Sequence, residues 1–200
     1  MDETALLTDD EIVALCAADG RPWPVGLATV EPTTSELARA GMRGMRSLMV
    51  RRLAHRDADQ PGMRPHEMIA DDVAAFLSAT DRVGAYVAPA SDHAVLGGAS
   101  VTAARTDHGW VVDTATAAGV HALRSATAGE AADAVLTLAE QAYVGTLFTG
   151  ADAATAWVCV VRYGPRAENL IAVGPATVTG TVDGAPVATW NPETIRGIFA

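Results

Sequence analysis

The chain has 200 residues at 20.6 kDa, enough for one domain that buries roughly 70% of its unfolded surface. Half of its residues are apolar and 19% are charged, which excludes a wholly disordered chain. A formal charge of −10 argues against broad nucleic-acid binding, and uncharged stretches such as Thr155–Val161 fall far short of the ~20 residues of a membrane span.

The first helix is announced by Thr8 and Glu11, a T-x-x-E capping box, with Ile12, Leu15 and Cys16 as its apolar face and Gly20 to close it. Arg21 to Val30 contains Pro22 and Pro24 and reads as extended connection. Thr33 with Glu36 opens a second helix that runs to about His55. Its spacing puts Leu37, Gly41, Met45, Leu48 and Met49 on one face, continued by Leu53, and Arg39, Arg43 and Arg46 on the other. Gly41 and Gly44 mark either a break or a close helix–helix approach.

Arg56 to Arg64 is polar, with Pro61 and Gly62, and reads as a loop. Pro65 suits a first helical turn, and Ile69, Val73, Phe76 and Leu77 form the inner face of a third helix. Three short helices followed by strands also suggest a winged-helix layout.

The apolar period then switches to two. Val83, Ala85 and Val87 alternate in one strand, and Ala94 to Arg105 reads as the next, bulged at Gly97-Gly98. Asp107-His108-Gly109 has the composition of a tight turn back through Trp110 to Asp113, and Gly119 to Ser125 gives another strand. Thr127 and Glu130 cap a helix with Ala131, Ala134, Val135, Leu138 and Ala142 inward. Trp157–Tyr163, Asn169–Val173 and Ala176–Val182 are strands, Asp183-Gly184 turns into Val187–Trp190, and Asn191-Pro192 starts a terminal helix. This order predicts one α+β domain over residues 1–200. Its sheet is mainly antiparallel, with a helical part to about residue 80, a sheet-rich part from about 81, and a C-terminal helix.

No P-loop, G-x-S-x-G elbow or H-E-x-x-H occurs. Asp92-His93 and Asp107-His108 could supply metal ligands only if the strand between them folded back; extended, it spans about 40 Å and keeps them apart. No metal or cofactor is expected. Cys159 lies between Val158 and Val160 without a basic neighbour, and Cys16 is likewise apolar in context, so both read as buried thiols. His55, His66 and His121 are scattered singly and read as surface or internally satisfied histidines. The arginines at 39, 43, 46, 51, 52 and 56 form the one basic cluster, and Met42, Met45, Met49, Met63 and Met68 hint at an adaptable protein-binding surface.

The run AGMRGMRSLMVRRL at residues 40–53, after an acidic capped helix, resembles the helix of EspG-type chaperones from actinobacterial type VII secretion. That family often reads S-L-x-x-R-G-L where this chain has Ser47-Leu48-Met49-Val50-Arg51-Arg52-Leu53, with Arg52 in place of the usual glycine. The opening leucine-threonine-acidic helix, the Pro-Trp-Pro segment, the strands after Arg82, the Asp183-Gly184 hairpin and the terminal Pro192–Arg196 helix follow a similar order.

The resemblance implies a cytosolic, non-enzymatic chaperone that holds a helical PE–PPE-type secretion substrate by surface contacts. The acidic N-terminus, with Asp2 and Glu3, agrees with a cytoplasmic expectation. Turn chemistry alone nominates Arg105, Asp107, His108 and Trp110 as partner-binding residues, since an arginine and an aromatic beside a turn match hot-spot composition. A winged-helix DNA-binding regulator is the alternative.

Overall fold

The computed structural model describes residues 4–56, 62–89, 98–143, 156–163, 171–173, 181–182, 185–186 and 192–200. In chain order these form β1 (Leu6–Thr8), α1 (Asp9–Asp19), α2 (Thr34–Val50), β2 (Ala54–Arg56), β3 (Met63–Pro65), α3 (Glu67–Ser78) and β4 (Arg82–Pro89). There follow β5 (Ser100–Thr106), β6 (Gly109–Ala115), β7 (Val120–Ala126), α4 (Ala128–Tyr143), β8 (Ala156–Tyr163) and β9 (Ile171–Val173). The last elements are β10 (Thr181–Val182), β11 (Ala185–Pro186) and α5 (Pro192–Phe199).

Seven strands make one sheet in the order β1-β7-β6-β5-β4-β8-β9, every adjacent pair antiparallel. The fold is therefore α+β, as the turn and period-two signals predict. The sheet is covered on both faces, because alternate side chains leave it in opposite directions. Val83, Ala85, Val87, Val101, Ala103 and Val112 pack under α4 and α5, against Val135, Leu138, Ile195 and Phe199. On the opposite face Ala104, Val111 and Leu123 meet Ile12 and Leu15 of α1 and Ile69, Val73, Phe76 and Leu77 of α3.

Local signals set several boundaries. Thr8 and Glu11 form the expected reciprocal capping box, and Gly20 closes α1 in the left-handed region at φ 88°. Thr127 and Glu130 cap α4 in the same reciprocal way. The β5–β6 hairpin turns through Asp107 and His108, with Thr106 opposite Gly109. Gly109, at φ 138°, has no room for a side chain, because a Cβ would meet the Ala126 carbonyl oxygen at 2.9 Å.

Four local expectations are corrected. The second helix stops at Val50, short of His55, because Arg52 takes a left-handed φ of 60°. Its N–H bonds the Met49 carbonyl at 3.2 Å and the Leu53 N–H bonds the Leu48 carbonyl at 2.8 Å, which is a Schellman closure. The stretch read as a loop carries paired strands at its ends: Ala54 lies opposite Pro65 and Arg56 opposite Met63, while residues 57–61 lie outside the described ones. Pro65 therefore ends β3, and α3 begins after His66, whose Nδ1 accepts the Met68 N–H at 3.2 Å.

The fourth correction concerns the packed face of α2. Its buried residues are Ala40, Gly44 and Leu48, whereas Leu37, Met45 and Met49 are partly exposed. Gly44 lies against α1 so closely that a Cβ would overlap the Asp10 carbonyl group. The close-approach reading of the two glycines holds at Gly44; at Gly41 an added Cβ would find Val13 at an ordinary 3.6 Å.

Asp92-His93, Gly97 and Asp183-Gly184 lie outside the described residues. Gly98 precedes β5, and the pairing of Val182 with Ala185 brackets positions 183 and 184.

Candidate functional site

At the β5–β6 hairpin the sequence-nominated residues separate. Arg105, Asp107 and His108 are exposed. Trp110 is only 4% exposed and points into the core, edge-on to Phe199 at 5.0 Å. The Arg105 guanidinium lies 5.7 Å from the Trp110 ring centre, so the aromatic supports the arginine from below. The hairpin thus presents three polar side chains on an aromatic anchor. Asp107 and His108 join no metal-ligating cluster among the described residues.

Sequence reasoning passed over the most organised polar cluster. His121 on β7 is 1% exposed and lies between two carboxylates, with Nδ1–H donating to Asp113 Oδ2 at 2.9 Å and Nε2–H to Asp9 Oδ1 at 2.7 Å. Asp9 Oδ2 in turn accepts from the Thr29 N–H at 2.6 Å and the Thr29 hydroxyl at 2.7 Å. Trp23 closes the site, edge-on to His121 at 5.8 Å and stacked on Phe76 at 4.5 Å. Gly119 turns the chain beside it at φ 69°, where a Cβ would crowd the Thr29 hydroxyl at 2.9 Å.

The electrostatics follow from this enclosure. Burial works against the imidazolium, but the hydrogen bonds and charges of Asp113 and Asp9 outweigh it and lift His121 to about 9. Burial also opposes the Asp9 charge, yet its bonds from His121 and Thr29 hold that carboxyl below its ordinary value. For Asp113 burial prevails and raises it, in keeping with an Oδ1 that is buried without a hydrogen-bond partner. Both imidazole nitrogens are engaged and the ring is sealed. The arrangement joins β1–α1, the Arg21–Val30 connection and the β6–β7 hairpin; it exposes no nucleophile or base to a substrate.

Other reactive groups are committed to the fold as well. Burial pushes the Cys16 thiol up to about 12, so it is no nucleophile at neutral pH. Glu11 is fully buried and accepts from Thr8 N–H at 2.9 Å, Ser47 Oγ at 2.7 Å and Arg51 Nη1 at 2.6 Å. Arg51 also donates to the Leu6 carbonyl at 2.7 Å, covering the outer edge of β1. Arg43 grips Asp10 through two bonds at 2.7 and 2.8 Å and reaches Glu36 at 2.9 Å. Two members of the arginine cluster are therefore internal ties, and α3 packs along β5, β6 and β7.

Beside its exposed arginines, α2 leaves large apolar side chains accessible. Leu37, Met42, Met45 and Met49 are 37%, 53%, 42% and 39% exposed. Beside them a groove of about 340 Å³ is lined by Ala14, Ala17, Leu37, Met42, Met45 and Met63. A larger apolar cleft of about 730 Å³ adjoins it through Ala17 and Leu37, walled further by Val13, Cys16, Trp23, Leu27 and Val30. The methionine count hinted at this surface, but only the rotation of α2 about Gly44 shows that those side chains face outward. No protein-family model matches the chain, and no curated protein matches its sequence.

Proposed function

We propose that this protein is a non-enzymatic binding protein of the EspG-like chaperone kind, working in an actinobacterial cytoplasm on a helical PE–PPE-type secretion substrate. The observation that carries the reading is the row of large apolar side chains that α2 leaves in solvent. An exposed row of unbranched, adaptable methionines is a surface suited to another protein. The enclosed state of the Asp9–His121–Asp113 cluster agrees with a scaffold role for the ionisable groups that a catalyst would place in a cleft.

The Schellman closure adds a second support. Position 52 takes the left-handed conformation that favours glycine, and glycine is what the resembling family usually carries there. The exposed hairpin residues Arg105, Asp107 and His108 are a further contact region in this reading.

Co-expression with a PE–PPE-type pair followed by size-exclusion chromatography tests the proposal. Co-elution of all three chains is the expected result. Separate elution at micromolar concentrations would overturn it.

A further inference from the structure

The exposed row on α2 has a charged border. The 3.6-residue repeat aligns Ala38, Met42, Met45 and Met49 in one stripe, with Arg39 and Arg46 along its solvent edge and the Ala14–Ala17 groove along the other. Arg46 is exposed and has no ion-pair partner among the described residues. Arg39, with its side chain 68% exposed, reaches Glu36 only at 3.7 Å. The stripe runs about 16 Å from Ala38 to Met49, the length of three helical turns.

From this geometry we infer that the α1–α2 face is a docking site for an acidic amphipathic helix, its apolar side on the methionine stripe and its carboxylates beside Arg39 and Arg46. This deepens the binding-protein reading and rests on it. Charge complementarity selects the occupant. Fields beyond about 8 Å are screened at physiological salt, so a slender helix meets the local arginine row and not the net −10. A membrane or a nucleic-acid duplex extends across the whole molecule and meets the negative remainder. Methionine suits a helical partner further, because its flexible thioether conforms to varied apolar side chains.

Two synthetic 18-residue helical peptides test the site, each with leucines along one face and with either glutamates or lysines along the flank. Methionine-methyl NMR reads where they bind, and fluorescence anisotropy reads how tightly. The glutamate peptide should shift the methyls of Met42, Met45 and Met49 and leave Met68 on α3 unmoved. The lysine peptide should bind at least about tenfold more weakly, and R39E/R46E should reverse that order.

Unmoved methyls at those three positions, equal binding of the two peptides, or a preference for phosphatidylglycerol vesicles over the glutamate peptide would each overturn the site. M42S/M45S/M49S changes only exposed side chains and should abolish peptide binding. If that variant still co-elutes with a PE–PPE-type pair that the unaltered chain also captures, this surface is wrong and the chaperone reading stands. If the peptide binds but the unaltered chain captures no such pair, the reverse holds.

Discussion

Asp9 and His121 are 112 residues apart in the chain, yet Nε2 of one lies 2.7 Å from Oδ1 of the other. The contact joins the first turn of α1 to β7, and through Asp113 it extends to β6. A histidine held at about 9 when folded and near 6.5 when unfolded stabilises the fold fully below about pH 6.5. That contribution is lost as pH rises through 9. Its size is on the order of 3 kcal/mol. Asp9, lowered by folding, works in the opposite direction and loses its contribution as pH falls below the ordinary carboxylate range. Urea unfolding from about pH 6.5 to 9.5 should therefore show falling stability, and His121→Gln should flatten that limb. An unchanged slope in the variant would remove His121 as the cause.

Gly44 and Gly41 provide an internal comparison on one helix. Gly44→Ala places a methyl on the Asp10 carbonyl and should cost about 2–3 kcal/mol, the scale of overpacking, despite the better helix propensity of alanine. Gly41→Ala meets only Val13 at 3.6 Å and should be neutral or stabilising by up to about 1 kcal/mol. Thermal unfolding of the pair decides it; equal effects would refute the close crossing.

Arg52→Gly should stabilise the protein by about 1 kcal/mol, because it relieves a left-handed φ of 60° on a residue with a Cβ. The exposed side chain has no ion-pair partner to lose among the described residues. Denaturant midpoints for the two chains are the measurement, and a drop in midpoint would contradict the backbone assignment.

Arg51→Met should destabilise by about 3 kcal/mol, since it leaves the enclosed Glu11 carboxylate without its cation. Glu11→Gln in the same background should recover part of that loss by removing the charge. Additive losses in the double variant would show that the two side chains are not coupled.

The hairpin is tested by Arg105→Glu with His108→Glu. Capture of a PE–PPE-type pair should weaken by about 1–2 kcal/mol while circular dichroism stays unchanged. Trp110→Ala, by contrast, should act on stability, with a loss of about 3 kcal/mol from the core beside Phe199. Unaltered capture by the double glutamate variant would remove the hairpin from the interface.

What the sequence revealed was local. Capping pairs such as Thr8–Glu11 and the turn at Asp107-His108 depend on neighbours within three or four residues, and they were legible. On α2, hydropathy favours Met45 and Met49 for the packed face, whereas contact with α1 selects the small Ala40 and Gly44. Pro65 suits a first helical turn by its own chemistry, but pairing with Ala54, eleven positions earlier in the chain, makes it a strand residue. The His121 cluster needs the order of the sheet: Asp113 is a lone acid in an apolar strand, but its sharing of His121 with Asp9 depends on β1 joining β7.

The pairing of β1 with β7 also imposes an order on synthesis. Leu7 emerges from the ribosome long before its partner His121, and at about 5–20 residues per second the delay is roughly 6–23 s. During that interval α1 and α2 can pair through Gly44, but the apolar side formed by Leu7, Ile12 and Leu15 has no sheet to cover it. The nascent chain therefore carries that apolar side uncovered for seconds, and a holding factor that recognises apolar segments would find its target in the first fifty residues. A permuted chain that begins at β4 would shorten that wait for β7.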